Sequence, residues 1–166
     1  MIADIGGGEG LLLSSILYKH KNSRGILFDL PEGLNHAETI LGKFGVADRV
    51  QVIQGSFFNT APAGADVYLL KNVLHNWSNE ESVNILNNIR NVLPPHGKIL
   101  ILEMIIDEEN HASFGKLIDL QMMVFMEEGK ERTRMEFESL LHQAGLRLNR
   151  VIPTIAPISI IEAVLS

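Results

Sequence analysis

The order in which short aliphatic runs and helical patterns follow one another constrains this chain more than any other feature. Strand-like runs at Ile2–Ile5, Arg24–Asp29, Val50–Gln54, Asp66–Leu70 and Lys98–Glu103 are separated by segments with a helical period. Alternation of this kind builds βαβ units, so an α/β fold with a mostly parallel sheet and helices on both faces is expected. Two further runs, Arg147–Pro153 and Ile158–Leu165, follow with no helical pattern between them. They predict a hairpin-like ending, and so a seven-stranded sheet with an antiparallel last strand.

Two helices carry signed ends. Ser78 and Glu81 form an S-x-x-E capping box ahead of an apolar face of Ile85, Leu86, Ile89, Val92 and Leu93. Thr133 and Glu136 form a second box, with Phe137, Leu140, Leu141 and Ala144 as its apolar face and Gly145 as the stop. Glu9–His20 and Gly33–Gly45 are the expected first two helices, and Ala112–Met126 reads as an apolar, Met-rich helix after the fifth strand.

Composition narrows the classes of function. With 166 residues the chain fits one domain, and with no cysteine it has neither disulfides nor thiolate metal sites. A net charge of -6 argues against a nucleic-acid partner, which needs a basic surface. No apolar run has the length of a membrane span and no secretory signal pattern is present, so no membrane role is expected and the cytoplasm is the default location. The first strand begins directly after Met1, which suggests a portion of a longer chain.

Asp4-Ile5-Gly6-Gly7-Gly8-Glu9-Gly10 lies between the first strand and the first helix. Such a loop lets a ligand approach the backbone and aims helix N-terminal amides at it, although glycines also make plain tight turns. The dinucleotide fingerprint counted from Gly6 requires glycine where Leu11 stands, and no P-loop Gly-Lys-Ser/Thr follows. G-x-G-x-G preceded by Asp4 suits a ligand without a pyrophosphate, whose amino-acid end carries an ammonium and a carboxylate. Asp29, ending the second strand about 20 residues on, stands where an acidic residue meets ribose hydroxyls. It also suits a cap for the turn before Pro31.

Ligands of open α/β sheets bind outside the carboxyl ends of the strands. His75 follows the fourth strand and Glu103 ends the fifth. A histidine near a helix start is often structural, but a carboxylate closing a buried strand needs a partner, and one bonded to an imidazole nitrogen frees the other nitrogen as a base. Glu131, in Gly129-Lys130-Glu131-Arg132-Thr133, is a second candidate partner or simply part of a solvated charge run. The remaining histidines show no metal-ligand spacing.

Taken together, D-I-G-G-G-E-G, F-D-L-P, L-K-N-V-L-H-N-W-S-N-E-E, G-K-I-L-I-L-E, G-K-E-R-T and P-I-S-I-I-E-A resemble the catalytic domain of S-adenosylmethionine-dependent O-methyltransferases of the plant caffeate and bacterial polyketide type. The resemblance covers essentially the whole chain and implies a Rossmann-like class I methyltransferase fold. It implies that Gly6, Gly8 and Gly10, with Asp4 before them, line S-adenosylmethionine, and that Asp29 holds its ribose. Ser56 and Phe57 would border the adenine, and Lys71 would reach the cofactor from the fourth strand. His75 would be the general base, with Glu103 and Glu131 flanking it. Asn76, Met122, Met123 and Met126 would touch the acceptor. The implied reaction is methyl transfer to a hydroxyl of a small aromatic molecule, without a metal and with S-adenosylhomocysteine as product. A cofactor-binding member repurposed for a non-methylating role is the alternative. Ser56 and Asn76 depart from the family pattern, which has Asp at both places. The family's N-terminal dimerisation domain is absent from these residues, so a homodimer is expected only of the full-length protein.

Overall fold

The computed structural model describes residues 1–106 and 129–166, so the expected helix Ala112–Met126 lies outside the described residues. The strands are β1 (Ile2–Ile5), β2 (Gly25–Asp29), β3 (Val50–Gln54), β4 (Val67–Lys71), β5 (Lys98–Ile106), β6 (Arg132–Thr133), β7 (Leu146–Pro153) and β8 (Ile158–Leu165). The α-helices are α1 (Leu11–Lys19), α2 (Ala37–Phe44), α3 (Asn79–Arg90) and α4 (Arg134–Gln143). The main sheet runs β3-β2-β1-β4-β5-β8-β7, with β6 attached to β5.

From β1 the chain moves outward to β2 and β3 on one side, then crosses to β4 and β5 on the other. Ile5 at the end of β1 pairs in parallel with Phe28 of β2 and with Leu70 of β4. The strand order therefore reverses at β1 and β4, the switch point where ligands of such sheets bind. β8 is antiparallel to both β5 and β7, so it alone of the seven main strands runs against the rest. This is the expected ending.

Period-two patterning puts helices on both faces. Ala3, Ile5, Ile26 and Phe28 join a core with Ile85, Leu86 and Ile89 of α3 and Phe137, Leu140 and Leu141 of α4. Leu27, between Ile26 and Phe28, faces the other way and packs with Leu13 and Leu17 of α1 and Leu41 of α2. Each fully buried aliphatic side chain contributes about 1.5–3 kcal/mol. Both expected capping boxes form, with the Ser78 and Thr133 hydroxyls accepting from the Glu81 and Glu136 amides.

Three of the boundaries that differ from expectation do so for identifiable reasons. Helix α1 starts at Leu11 rather than Glu9 because Gly8 and Gly10 have φ of 55° and 82° and belong to the loop. Helix α2 starts at Ala37 rather than Gly33 because the Pro31 region turns first, with the Leu34 amide donating to the Leu30 and Pro31 carbonyls. Strand β5 does not stop at Glu103. It continues to Ile106 because Ile105 and Ile106 pair with Arg132 and Thr133 of β6, a two-residue strand too short to leave a pattern.

Candidate active site

The glycine loop is tied down on the side facing β2. The Gly6 amide donates to the Phe28 carbonyl at 2.8 Å, and the Gly8 amide to Asp29 Oδ2 at 2.7 Å. Close packing explains Gly7, where a Cβ would lie 2.6 Å from Leu27 Cδ1 and 2.8 Å from Asp4 Cγ. Gly8 is different: a Cβ there would meet nothing within 4 Å, yet its φ of 55° is one that other L-residues seldom adopt.

A cavity of about 530 Å³ opens beside this loop, lined by Asp4, Gly6, Gly7, Gly8 and Glu9, by Leu11, Leu12 and Ser15 of α1, and by Lys71. Asp4 is 2% exposed and its Oδ2 makes no hydrogen bond among the described residues. Burial pushes its carboxyl up to about 7, against a lowering bond from the Leu13 backbone; nearby Asp29 raises it and Lys71 lowers it. A buried carboxylate oxygen without a donor is a costly arrangement that a cationic ligand would relieve.

At the neighbouring strand ends the chain makes a sharp exit from β4. Asn72 has φ of 54°, the one positive value at a non-glycine position among the described residues, and its amide donates to the Leu102 carbonyl. This turn leads into a 3-10 turn, Leu74–Asn76, that carries His75. Glu103 of β5 is completely buried, and its Oε1 accepts the amides of Val73 at 3.0 Å and His75 at 3.2 Å. Its contact with His75 is therefore to the main chain, whereas its Oε2 has no hydrogen-bond partner among the described residues. Burial lifts the Glu103 carboxyl to about 7; the His75 amide lowers it and Glu131 raises it further.

Glu131 is buried, not part of a solvated run, and its Oε1 lies 3.9 Å from His75 Nδ1. Burial holds the imidazole below its usual 6.5, and the Arg132 guanidinium acts in the same direction. The ring is therefore neutral at neutral pH. His75, Glu103 and Glu131 each offer a donor atom within 4.8 Å of the others, the proximity a metal centre would need. The cation these carboxyls already face is Arg132, which both of them affect electrostatically.

The other expected site residues distribute unevenly. Lys71 lines the cavity, and its charge bears on both Asp4 and His75. Asp29 holds the loop through Gly8 and also accepts the Leu30 amide at 2.7 Å, so both the loop and the turn before Pro31 use it. Gly10 is the N-cap of α1 rather than cavity wall. Ser56 Oγ accepts the Phe58 amide within its own turn, and Asn76 Nδ2 donates to the Asn72 carbonyl. Phe57 packs near the loop, 3.4 Å from where a Gly6 Cβ would stand. Met122, Met123 and Met126 lie outside the described residues.

Sequence patterns gave no sign of Asn88. Its Nδ2 donates to the carbonyls of Phe57 at 2.9 Å and Phe58 at 3.0 Å, tying the turn after β3 to α3. Phe57, Phe58 and Trp77 then form an edge-to-face cluster linking that turn to the His75 segment. An asparagine on a half-polar helix face has no periodic signature, so only the fold exposes this role.

Residues 1–147 match the family model described as the O-methyltransferase domain. The phenazine O-methyltransferase PhzM of Lysobacter antibioticus is 44% identical over 162 residues, covering 98% of this chain and 47% of that protein. The S-adenosylhomocysteine-bound structure of CalO1, a methyltransferase of calicheamicin biosynthesis, superposes with a TM-score of 0.92 at 39% identity, covering 99% of this chain and 48% of that one. NcsB1, an O-methyltransferase of neocarzinostatin biosynthesis in complex with S-adenosylmethionine and 2-hydroxy-5-methyl naphthoic acid, gives 0.89 at 35% identity over 99% of this chain and 48% of that one. The chain thus spans about half the length of the relatives it matches. With the class I sheet order, a glycine loop at its switch point and this match over most of its length, the chain belongs to the O-methyltransferase domain family.

Proposed function

We propose that residues 1–166 form the S-adenosylmethionine-binding catalytic domain of an enzyme that methylates a hydroxyl of a small aromatic molecule, with His75 as general base. The observation that carries the reading is the placement of a neutral, half-buried imidazole beside two buried carboxyls at the carboxyl ends of β4 and β5.

The loop and cavity residues fit the cofactor. The unpartnered Asp4 oxygen suits its ammonium, and Lys71 suits its carboxylate. The open space at Gly8 allows backbone approach. Asp29 keeps lone pairs for a ribose hydroxyl beyond those used by Gly8 and Leu30. When bound, S-adenosylmethionine supplies a methyl group activated by a positively charged sulfur.

The chain's own residues supply the proton transfer. A phenol with pKa near 10 stays protonated at neutral pH and needs a base, whereas a carboxylate acceptor would not. With Nδ1 on the Glu131 side, we assign His75 Nε2 as the atom that takes the hydroxyl proton, an effect typically worth about 10²–10⁴ in rate. The imidazolium so formed is stabilised by the adjacent carboxyls. Glu103 fixes the peptide that carries the ring, and Trp77, two residues on, packs edge-to-face against Phe57 and Phe58.

The naphthoic acid bound to NcsB1 and the phenazine named for PhzM suggest hydroxylated polycyclic aromatics as acceptors. In the full-length protein we place the acceptor pocket against a further, dimer-forming domain. Incubating the protein with S-adenosylmethionine and a panel of hydroxylated naphthoates, phenazines and simple phenols, read by mass spectrometry, tests the reading. Methylated product on at least one of them is expected. S-adenosylhomocysteine binding with no product on any acceptor would instead favour a cofactor-binding member with a non-methylating role.

A further inference from the structure

We propose that Arg132 is a positioning residue for His75, clamping the turn that presents the imidazole. The proposal rests on the base reading given above. Arg132 is completely buried, and among the described residues its guanidinium donates four hydrogen bonds. Nη1 reaches the Leu74 carbonyl at 2.8 Å, and Nη2 the Trp77 carbonyl at 2.8 Å and Ser82 Oγ at 3.2 Å. Nε reaches Asn79 Oδ1 at 3.0 Å. The two carbonyls bracket His75 and Asn76, while Asn79 and Ser82 belong to the first turns of α3.

The His75 peptide itself is held from two other elements. Its amide goes to Glu103 of β5, and its carbonyl accepts the Lys130 amide at 2.9 Å. What these bonds leave open is the position of the turn's ends, and the Arg132 fork spans both. Charge balance alone does not explain the choice, because a buried ion pair as a whole is often replaceable by apolar side chains of similar volume without loss of stability. Lysine would keep the charge but cannot reproduce a planar fork to two carbonyls. The charged groups facing His75 among the described residues are Glu103, Glu131, Arg132 and Lys71, so the charge and the fork can be tested apart.

The test compares Arg132→Lys and the milder, surface-side Asn79→Ala with the unaltered protein. For each, kcat and the KM for S-adenosylmethionine are measured across pH, together with the urea midpoint and the His75 ring resonances by NMR. Arg132→Lys should lower kcat about 10²-fold, the scale of an ångström of misplacement. The KM for cofactor and the acid limb of kcat should stay where they were. Asn79→Ala should lower kcat less, with only a small drop in the urea midpoint, and both variants should shift or broaden the His75 resonances. If Arg132→Lys does not fold, Asn79→Ala decides the matter on the same readouts. Unchanged kcat in the folded variants, or losses in kcat matched by equal losses in cofactor affinity and stability, would overturn the clamp. The resonances separate this failure from that of the base reading. An active His75→Gln sinks only the base, whereas undisturbed His75 resonances sink only the clamp.

Discussion

Glu103 reaches His75 through the main chain: one carboxyl oxygen accepts the His75 amide at 3.2 Å and the Val73 amide at 3.0 Å. The carboxylate that was expected to set the imidazole tautomer instead sets the peptide from which the imidazole projects. Glu131, whose Oε1 is 3.9 Å from Nδ1, is the carboxyl on the ring side. The two glutamates thus divide the work, one holding the turn and one facing the ring.

Removing Glu103 therefore has a structural signature. Glu103→Ala leaves two buried amides without an acceptor, at a cost of about 1–3 kcal/mol for each unsatisfied group. Glu103→Gln keeps an acceptor oxygen and should lose much less. Urea unfolding of the two variants measures the difference, and equal losses would show that the negative charge, rather than the acceptor, holds the turn.

Two buried carboxyls make stability depend on pH in an unusual direction. Asp4 and Glu103 are raised from ordinary values of 3.8 and 4.5 to about 7. In the folded state they bind protons more tightly than in the unfolded chain. The stability they contribute is fully present below the unfolded values and is lost as pH rises through about 7. For each group the loss is at most about 3–4 kcal/mol, from the free-energy equivalent of a pKa shift. Without cofactor, unfolding free energy should fall from pH 5 to pH 7.5 in urea titrations. Asp4→Asn or Glu103→Gln should each flatten part of that slope.

Gly7 and Gly8 are predicted to fail differently when given a methyl group. At Gly7 the new Cβ overlaps Leu27 and Asp4, so Gly7→Ala should cost about 1–3 kcal/mol of stability. At Gly8 the space is open, so Gly8→Ala should cost only the backbone strain of about 1–2 kcal/mol while its methyl enters the region proposed for the cofactor. Thermal unfolding and calorimetric titration with S-adenosylhomocysteine separate them: the first loses mainly stability, the second mainly affinity.

Asn88 offers a test away from the chemistry. Losing its two bonds to the Phe57 and Phe58 carbonyls should loosen the aromatic turn. At about 0.5–1.5 kcal/mol per bond, Asn88→Ala should weaken S-adenosylhomocysteine binding by roughly 5-fold or more. Unchanged affinity in the same titration would count against the proposed contact of that turn with the adenine.

The parts of this molecule legible in its sequence are those governed by short-range rules. Alternating aliphatic runs located the strands, and Ser78–Glu81 and Thr133–Glu136 located two helix starts, because capping is local chemistry. Gly8 and Gly10 marked the loop, but their left-handed backbone also delayed α1, a consequence that helical periodicity does not record. What stayed hidden depended on distant pairing. Strand β6 exists only because Arg132 and Thr133 meet the end of β5 across the fold. The residue pattern left Glu131 open between a partner of His75 and one charge in a solvated run, and only its burial beside the imidazole decides between them. Asn88 has no local signature at all.

The most direct test of the central claim is His75→Gln, assayed side by side for methyl transfer to an accepted hydroxylated aromatic and for S-adenosylhomocysteine affinity. A base contributes about 10²–10⁴ in rate, so turnover should fall by that factor. Affinity should hold within error, since the cofactor cavity is lined by Asp4, the glycine loop, α1 and Lys71 rather than by His75. Turnover that survives the substitution, or a loss of cofactor binding that accounts for the whole defect, would contradict the assignment of His75 as the base.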